Sequence, residues 1–417
     1  MRGLISARFD GLAKGGDMEE EHLATSLYNR APQVLAGLKL PTKVAINDAT
    51  LREGEQAAEV SFSLGEKTAL AHRLDEIGVA EIEVGWPNRS SLDREALRIL
   101  KKEGLRAQTQ ALAAIYGQEW RREVDASVEC GADIVSLLHA TSDIRLEHAE
   151  KMTREQVLAR SVEAVQYAAG RGPLISYSPT DATRTDLDFL KELVMETVAA
   201  GAERIAISDT VGAASPGAMR FLISQVTQWV DVPVQVHCHN DFGLALANTL
   251  AAVEGGATIV DATVNGLGER NGNAALDEVA VGLKFLYGID TGLKLDELFA
   301  LSRYVQEITG VPLPFNKPLV GDNAFVHKLD IHVKRVMSYA PLFEPLPPET
   351  VGNRRIIPLG RDTGSFVVGL KLKERGLDAD EKQIEEIVSE VRELALEKKA
   401  SLTEDEFLII VKEILDR

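Results

Sequence analysis

Between Lys43 and Gly288, short apolar runs alternate eight times with amphipathic stretches of helix length, and few folds accommodate that rhythm. The strand-like runs fall at 44–48, 81–85, 106–111, 134–138, 174–178, 204–208, 234–239 and 259–264. The helical patterns fall at 65–77, 91–102, 120–130, 154–169, 186–200, 216–230, 243–254 and 274–286. Three of them close on a glycine followed by alanine (Gly131-Ala132, Gly201-Ala202, Gly256-Ala257), a helix stop that feeds the next strand. Eight strand–helix units in about 240 residues is the size of an α/β fold of the (β/α)8 TIM-barrel type. A doubly wound open sheet is the alternative, but it seldom needs eight such regular repeats. A barrel also makes a demand: residues that do chemistry should follow the C-terminal ends of the strands.

The remaining chain reads as appendages. Residues 1–40 form an N-terminal extension, with 1–17 loose and ordered helix beginning near Met18. Residues 41–290 form the barrel. Residues 291–375 read as a linker or lid, broken by Pro312, Pro314 and Pro318 and showing little helical period after Leu319. Residues 376–417 form a small helical tail, with helices at 381–398 and 403–415, too short for a full regulatory domain. A net charge of −18 argues against nucleic acid or an anionic membrane as partner. No apolar run reaches membrane-spanning length and no secretory signal is evident. Two cysteines, Cys130 and Cys238, rule out a disulfide framework and suit a cytoplasmic setting.

The chemistry-bearing residues do follow the strands. Val234-Gln-Val-His-Cys-His239 is a strand ending in two histidines, which alternation places on one face, as a divalent cation requires. An isolated pair of this kind is as often an ordinary pair of histidines. Cys238 points the opposite way and is structural. The first strand opens into Thr50-Leu-Arg-Glu-Gly-Glu-Gln56, a charged cluster that is costly after a buried strand unless it has partners. Glu83 sits inside the apolar Ile82-Glu-Val84, so it faces a polar barrel mouth or an arginine. After the eighth strand comes Gly266-Leu-Gly-Glu-Arg-Asn-Gly-Asn273, which lacks a phosphate-loop lysine and any dinucleotide fingerprint.

Together, Thr50–Gln56, His237-Cys-His-Asn-Asp-Phe-Gly-Leu-Ala245 and Gly266–Asn273, three separated motifs, resemble those of the DRE-TIM metallolyases. Within that superfamily they resemble the homocitrate synthase and 2-isopropylmalate synthase family, nearest to the short nitrogen-fixation type of homocitrate synthase. The resemblance spans residues 43–364. It implies that Glu53, His237, His239 and, more loosely, Asn273 hold a divalent cation (Zn, Mn, Mg or Co). It implies that Arg52 offsets charge on the oxo oxygen, with Glu83 in the same network. Thr210 would contact the substrate carboxylate, and Gln56, His139 and Asn273 would join Arg52 in holding the substrate. His332, in Asp330-Ile-His332, takes the position of the base that removes the acetyl-CoA methyl proton. The implied partners are acetyl-CoA, a 2-oxo acid and a second copy of the chain, with the lid exchanged between subunits.

The chain departs from that pattern at four places. Thr180 stands where a catalytic glutamate is usual, leaving Asp181 as the substitute acid. Phe343 replaces a tyrosine, with Tyr339 a turn earlier, and Asp362 replaces a histidine. Leu329-Asp330 precedes Ile-His where small residues are usual. The expected activity is condensation of acetyl-CoA with 2-oxoglutarate to homocitrate. The alternatives are sibling synthases (isopropylmalate, citramalate, Re-citrate or phosphonomethylmalate) and an altered homologue that only binds metal or CoA. A hydroxymethylglutaryl-CoA lyase is disfavoured because the loop after the eighth strand carries Asn271 and no cysteine.

Overall fold

The computed structural model describes residues 24–416, so the readings for residues 1–17 and the helix start at Met18 lie outside the described residues. Eight parallel strands close into a barrel in sequence order, with β8 returning to pair with β1. They are β1 (Ala45–Asp48), β2 (Glu81–Gly85), β3 (Gln108–Ala114), β4 (Ile134–Ala140), β5 (Leu174–Thr180), β6 (Arg204–Asp209), β7 (Val234–Cys238) and β8 (Ile259–Ala262). The strands are buried on both faces, which is why they read as nearly continuous apolar runs. Strands β3, β4 and β5 run past the predicted ends, so Ala140 pairs with Thr180 inside the sheet. At the other end of the barrel, Arg204 opening β6 reaches across to Glu81 opening β2, with two contacts of 2.6 Å. Among the described residues, no helix is long and apolar enough to cross a membrane.

The described chain forms two compact units. The first comprises 27–325 and 348–354 and contains the barrel. The second comprises 24–26, 326–347 and 355–416. The region expected to be an irregular connector contains the helices Asp330–Ser338 and Ser365–Lys373. They pack with the tail helices Glu381–Lys398 and Glu404–Leu415 around a shared core of Val333, Val367, Leu372, Ile387, Val391 and Phe407. Each is only nine residues long, too short for a helical period to stand out in the sequence. The second unit therefore has its own hydrophobic core, to which both the expected linker or lid segment (291–375) and the expected helical tail (376–417) contribute.

Candidate active site at the barrel mouth

Between β1 and the following helix the chain turns sharply and carries Arg52 and Glu53 into the barrel mouth. Two anchors fix the turn. Thr50 Oγ1 accepts from the Val264 amide at 2.8 Å, tying it to the end of β8. Lys67, fully buried, donates to the carbonyls of Leu51 (2.8 Å) and Val84 (3.1 Å) and to Asp93 (2.6 Å). With Glu55 also at 2.7 Å, a buried ammonium held by two carbonyls and two carboxylates fixes the backbone on which the reactive residues ride. Gly85 makes room for this arrangement, since a Cβ there would lie 2.3 Å from Asp93 Cγ.

Arg52 bridges two carboxylates, Glu53 through Nη1 and Glu83 through Nη2 at 2.7 Å. Glu53 Oε1 accepts from the Glu269 amide at 3.2 Å and lies 3.8 Å from His239 Nε2. His237 and His239 point the same way, as alternation requires, with their Nε2 atoms 3.3 Å apart. Asp261 in β8 accepts from His237 Nδ1 at 2.9 Å, which directs Nε2 into the mouth. The same carboxylate also accepts from Asn47 Nδ2 (2.9 Å) and Gln235 Nε2 (2.5 Å). A backbone bridge pairs His239 with Asn273, whose amide nitrogen lies 3.2 Å from His237 Nε2. The Gly-rich loop is shaped around that amide: a Cβ on Gly268 would fall 2.0 Å from Asn273 Oδ1, and Gly272 has φ +80°.

One ligand atom each from Glu53, His237 and His239 lies within 4.8 Å of the others, so the trio fits a divalent cation. Arg52 Nε, Gln110 Oε1 and Asn273 Oδ1 are buried without partners among the described residues, as in a site shaped for a polar ligand. Burial opposes ionisation of Glu53, but Arg52, His237 and His239 overcome it and hold the carboxylate at about 2. Burial also opposes the charge on His237, and the Asp261 hydrogen bond and charge outweigh it and make that imidazole more basic. Burial and the neighbouring His237 push His239 down to about 3, leaving it neutral as a ligand must be. Glu83 is raised by burial, with Arg52 opposing.

A cavity of about 320 Å³ opens above these groups. Arg52, Glu53, Gln56, Glu83, Thr210, His237 and His239 line it, all seven expected from the sequence. Two other expectations are corrected. His139 lies between Leu138 and Ala140, which face the cavity, so its own ring faces outward. It meets Ser161 at 2.9 Å beneath the helix Arg154–Ala168, and burial lowers it to about 3. It therefore holds no substrate. Asp181, with φ +63°, turns its carboxylate to Ser142 and to Arg184, whose Nε and Nη2 approach to 2.8 and 2.7 Å. That carboxylate is already committed and does not line the cavity, so it is not the replacement acid.

Residues that the sequence reading missed complete the lining, chief among them Trp86, Tyr116, Arg145, Glu150 and Asp261. In the second unit, the His332 ring packs on Phe343 with centroids 4.5 Å apart. Asp330, one of the departures, caps the helix Ser365–Lys373 by accepting from the Val367 amide at 2.9 Å. Asp362 pairs with Lys328 at 3.1 Å.

An HMGL-like family profile matches residues 43–305, and a homocitrate synthase post-HMGL domain-like profile matches residues 319–399. A probable 2-isopropylmalate synthase of Methanopyrus kandleri is 46% identical, over 85% of this chain and 70% of its own length. Homocitrate synthase AksA of the same organism is 42% identical, over 91% of this chain and 94% of its own. The (R)-citramalate synthase CimA of Methanocaldococcus jannaschii is 40% identical, over 89% and 74%. Among solved structures, a hydroxymethylglutaryl-CoA lyase of Pseudomonas aeruginosa shares the fold with a TM-score of 0.57 and 23% identity, over 66% of this chain and 96% of that one.

Proposed function

The chain belongs to the HMGL-like family, in the DRE-TIM group that holds the homocitrate, isopropylmalate and citramalate synthases, and from that premise we propose that it condenses acetyl-CoA with 2-oxoglutarate to give homocitrate and CoA. The observation that carries the reading is the convergence of Arg52, Glu53, His237 and His239 on one point of the barrel mouth. Glu53, His237 and His239, with Asn273 beside them, would hold the cation. When bound, it would supply Lewis acidity toward the 2-oxo acid.

The protein's own groups account for the rest. Arg52 presents a guanidinium where alkoxide charge develops, an electrostatic contribution typically worth several kcal/mol. Glu83 fixes Nη2 of that guanidinium and Glu53 fixes Nη1, so it is aligned before the substrate arrives. Thr210 lines the cavity with its Oγ1 already accepting from the Asp181 amide, so its hydroxyl proton is free for a substrate carboxylate. We assign removal of the acetyl methyl proton to His332, on its sequence motif. A homodimer in which one subunit's post-barrel segment serves the other belongs to this reading. So does a cytoplasmic setting, which the free, buried Cys130 and Cys238 suit.

Arg145 favours 2-oxoglutarate among acceptors. It is a half-buried cavity cation whose side chain makes no hydrogen bond or ion pair among the described residues, and a distal carboxylate would supply one. Leu112, Leu138 and Ala140 in the same lining favour the sibling reading, an apolar acceptor such as 2-oxoisovalerate. Thiol release from acetyl-CoA with a panel of 2-oxo acids and divalent metals separates the two. Release with 2-oxoglutarate ahead of 2-oxoisovalerate and pyruvate is expected. Metal binding with no acid-dependent release would mean a binding protein instead.

A further inference from the structure

Carboxyl groups in this cavity are almost all spoken for. Glu53 and Glu83 are tied to Arg52, Asp261 to His237, and Glu269 to Arg270. Glu150 lines the same cavity, half-buried, and its carboxyl makes no hydrogen bond or ion pair among the described residues. It closes a wide, π-type turn, Leu146–Glu150, that follows directly on Arg145, so both side chains enter the cavity from one loop after β4. The proposed mechanism uses Arg145 and leaves Glu150 idle.

An ionised carboxylate in that place would work against the reading above. It would stand near the very anion that Arg145 is to bind, in a pocket partly shielded from water, where like charges repel. A protonated carboxyl reverses the sign, because it can donate an O–H hydrogen bond to a carboxylate. Resting on the 2-oxo-dicarboxylate reading, we infer that Glu150 is a specificity-determining residue that meets the acceptor's distal carboxylate in protonated form, donating to it beside Arg145. The surroundings agree. Burial holds the Glu150 carboxyl above the ordinary glutamate range, with Arg145 pulling it back. Facing it from the end of β3 is Tyr116, also raised by burial, with Arg89 3.5 Å from its hydroxyl and Glu123 behind. Arg52, Glu53 and Glu83 are the charged groups on the β1–β2 side of the cavity. Acceptor binding then takes up a proton from solvent, and the residue discriminates against apolar acceptors that cannot accept its hydrogen bond.

The test uses the metal-loaded full chain as wild type, Glu150→Gln and Glu150→Leu. KM and kcat are measured against pH for 2-oxoglutarate and 2-oxoisovalerate, and proton uptake is read by calorimetry in buffers of different ionisation enthalpy. In the wild type, KM for 2-oxoglutarate should rise by up to about tenfold per pH unit above the Glu150 titration. Glu150→Gln keeps a donor at all pH, so it should flatten that rise and lose the corresponding proton uptake. Glu150→Leu should raise KM for 2-oxoglutarate on the order of tenfold and lower it for 2-oxoisovalerate. An unchanged pH slope and proton uptake in Glu150→Gln would overturn the inference alone. So would a Gln variant as weak as Leu at acid pH. Wild-type protein that releases no thiol with any oxo acid would overturn the parent reading and this inference with it.

Discussion

Asp261→Asn changes one atom beside the proposed ligand trio and should cost the protein its metal while leaving the barrel folded. The wild-type carboxylate takes three hydrogen bonds: Oδ1 from Asn47 and Gln235, Oδ2 from His237 Nδ1. An amide offers one oxygen and one NH2. Turning the NH2 toward the first pair sets it against two donors, whereas turning it toward His237 sets it against one. Each buried donor left unmet costs about 1–3 kcal/mol, so the amide oxygen stays with Asn47 and Gln235 by roughly that margin. His237 Nδ1 then faces a donor and must become an acceptor, which moves its proton to Nε2. That is the atom 3.3 Å from His239 Nε2, and a protonated nitrogen cannot ligate. Loss of an outer-shell partner ordinarily lowers metal affinity by about 10–100-fold, or about 1.4–2.8 kcal/mol, and the forced tautomer places this variant at or beyond the upper end. Asp261→Ala is the informative control, because it abandons all three hydrogen bonds yet leaves the His237 tautomer free. Competition with a chromophoric chelator should rank metal affinity wild type, Ala, Asn, and thermal melting should rank stability wild type, Asn, Ala. An Asn variant that binds metal within about twofold of wild type would refute the tautomer argument.

Three further outcomes follow from the same coordinates. Arg204→Met strands the buried Glu81 charge, which should cost about 3–5 kcal/mol and lower Tm on the order of 10 °C; an unchanged Tm would contradict it. His139 is held near 3 in the fold against 6.5 unfolded, so the native state binds fewer protons and stability falls as pH drops below about 6.5, by up to about 1.4 kcal/mol per unit, levelling near 3. His139→Phe should reduce that slope in denaturant titrations and leave acceptor KM unchanged, whereas a raised KM would return His139 to the substrate site. His332→Ala should bind the oxo acid normally but fail to exchange the acetyl-CoA methyl protons, and unchanged turnover would remove His332 from the mechanism.

The barrel was legible because parallel strands buried on both faces leave uninterrupted apolar runs, and the helices between them carry glycine stops. The convergence of Glu53, His237 and His239 was legible because the two histidines sit at the end of one strand and Glu53 in the loop after another. His139 shows the limit of reading residues by type. The alternation that pairs His237 with His239 also turns His139 away from Leu138 and Ala140, and applying it there would have excluded the residue. Asp261 carried the same signal as Glu83, an acid inside an apolar strand (Val260-Asp-Ala262), and was overlooked. Lys67 and Arg145 left no local trace, since what defines them is distant in sequence: carbonyls at 51 and 84 for the lysine, a cavity lined by seven strands for the arginine.

The lining divides into two sectors with different constraints. The end of β7, the strand β8 and the loops after β1 and β8 supply Arg52, Glu53, His237, His239, Asp261 and Asn273, each locked to another by a hydrogen bond or ion pair. A change to any one disturbs several others, so this sector is stiff against substitution. The ends of β3, β4 and β5 supply Tyr116, Arg145, Glu150 and Thr180, which face the cavity from loops and strand ends with far fewer mutual ties. Relatives at 40–46% identity carry names for different products, as expected if acceptor choice resides in the loose sector while the stiff one is kept. Thr180 falls in the loose sector, so under the proposed function its departure from glutamate bears on the acceptor before it bears on the proposed cation ligands.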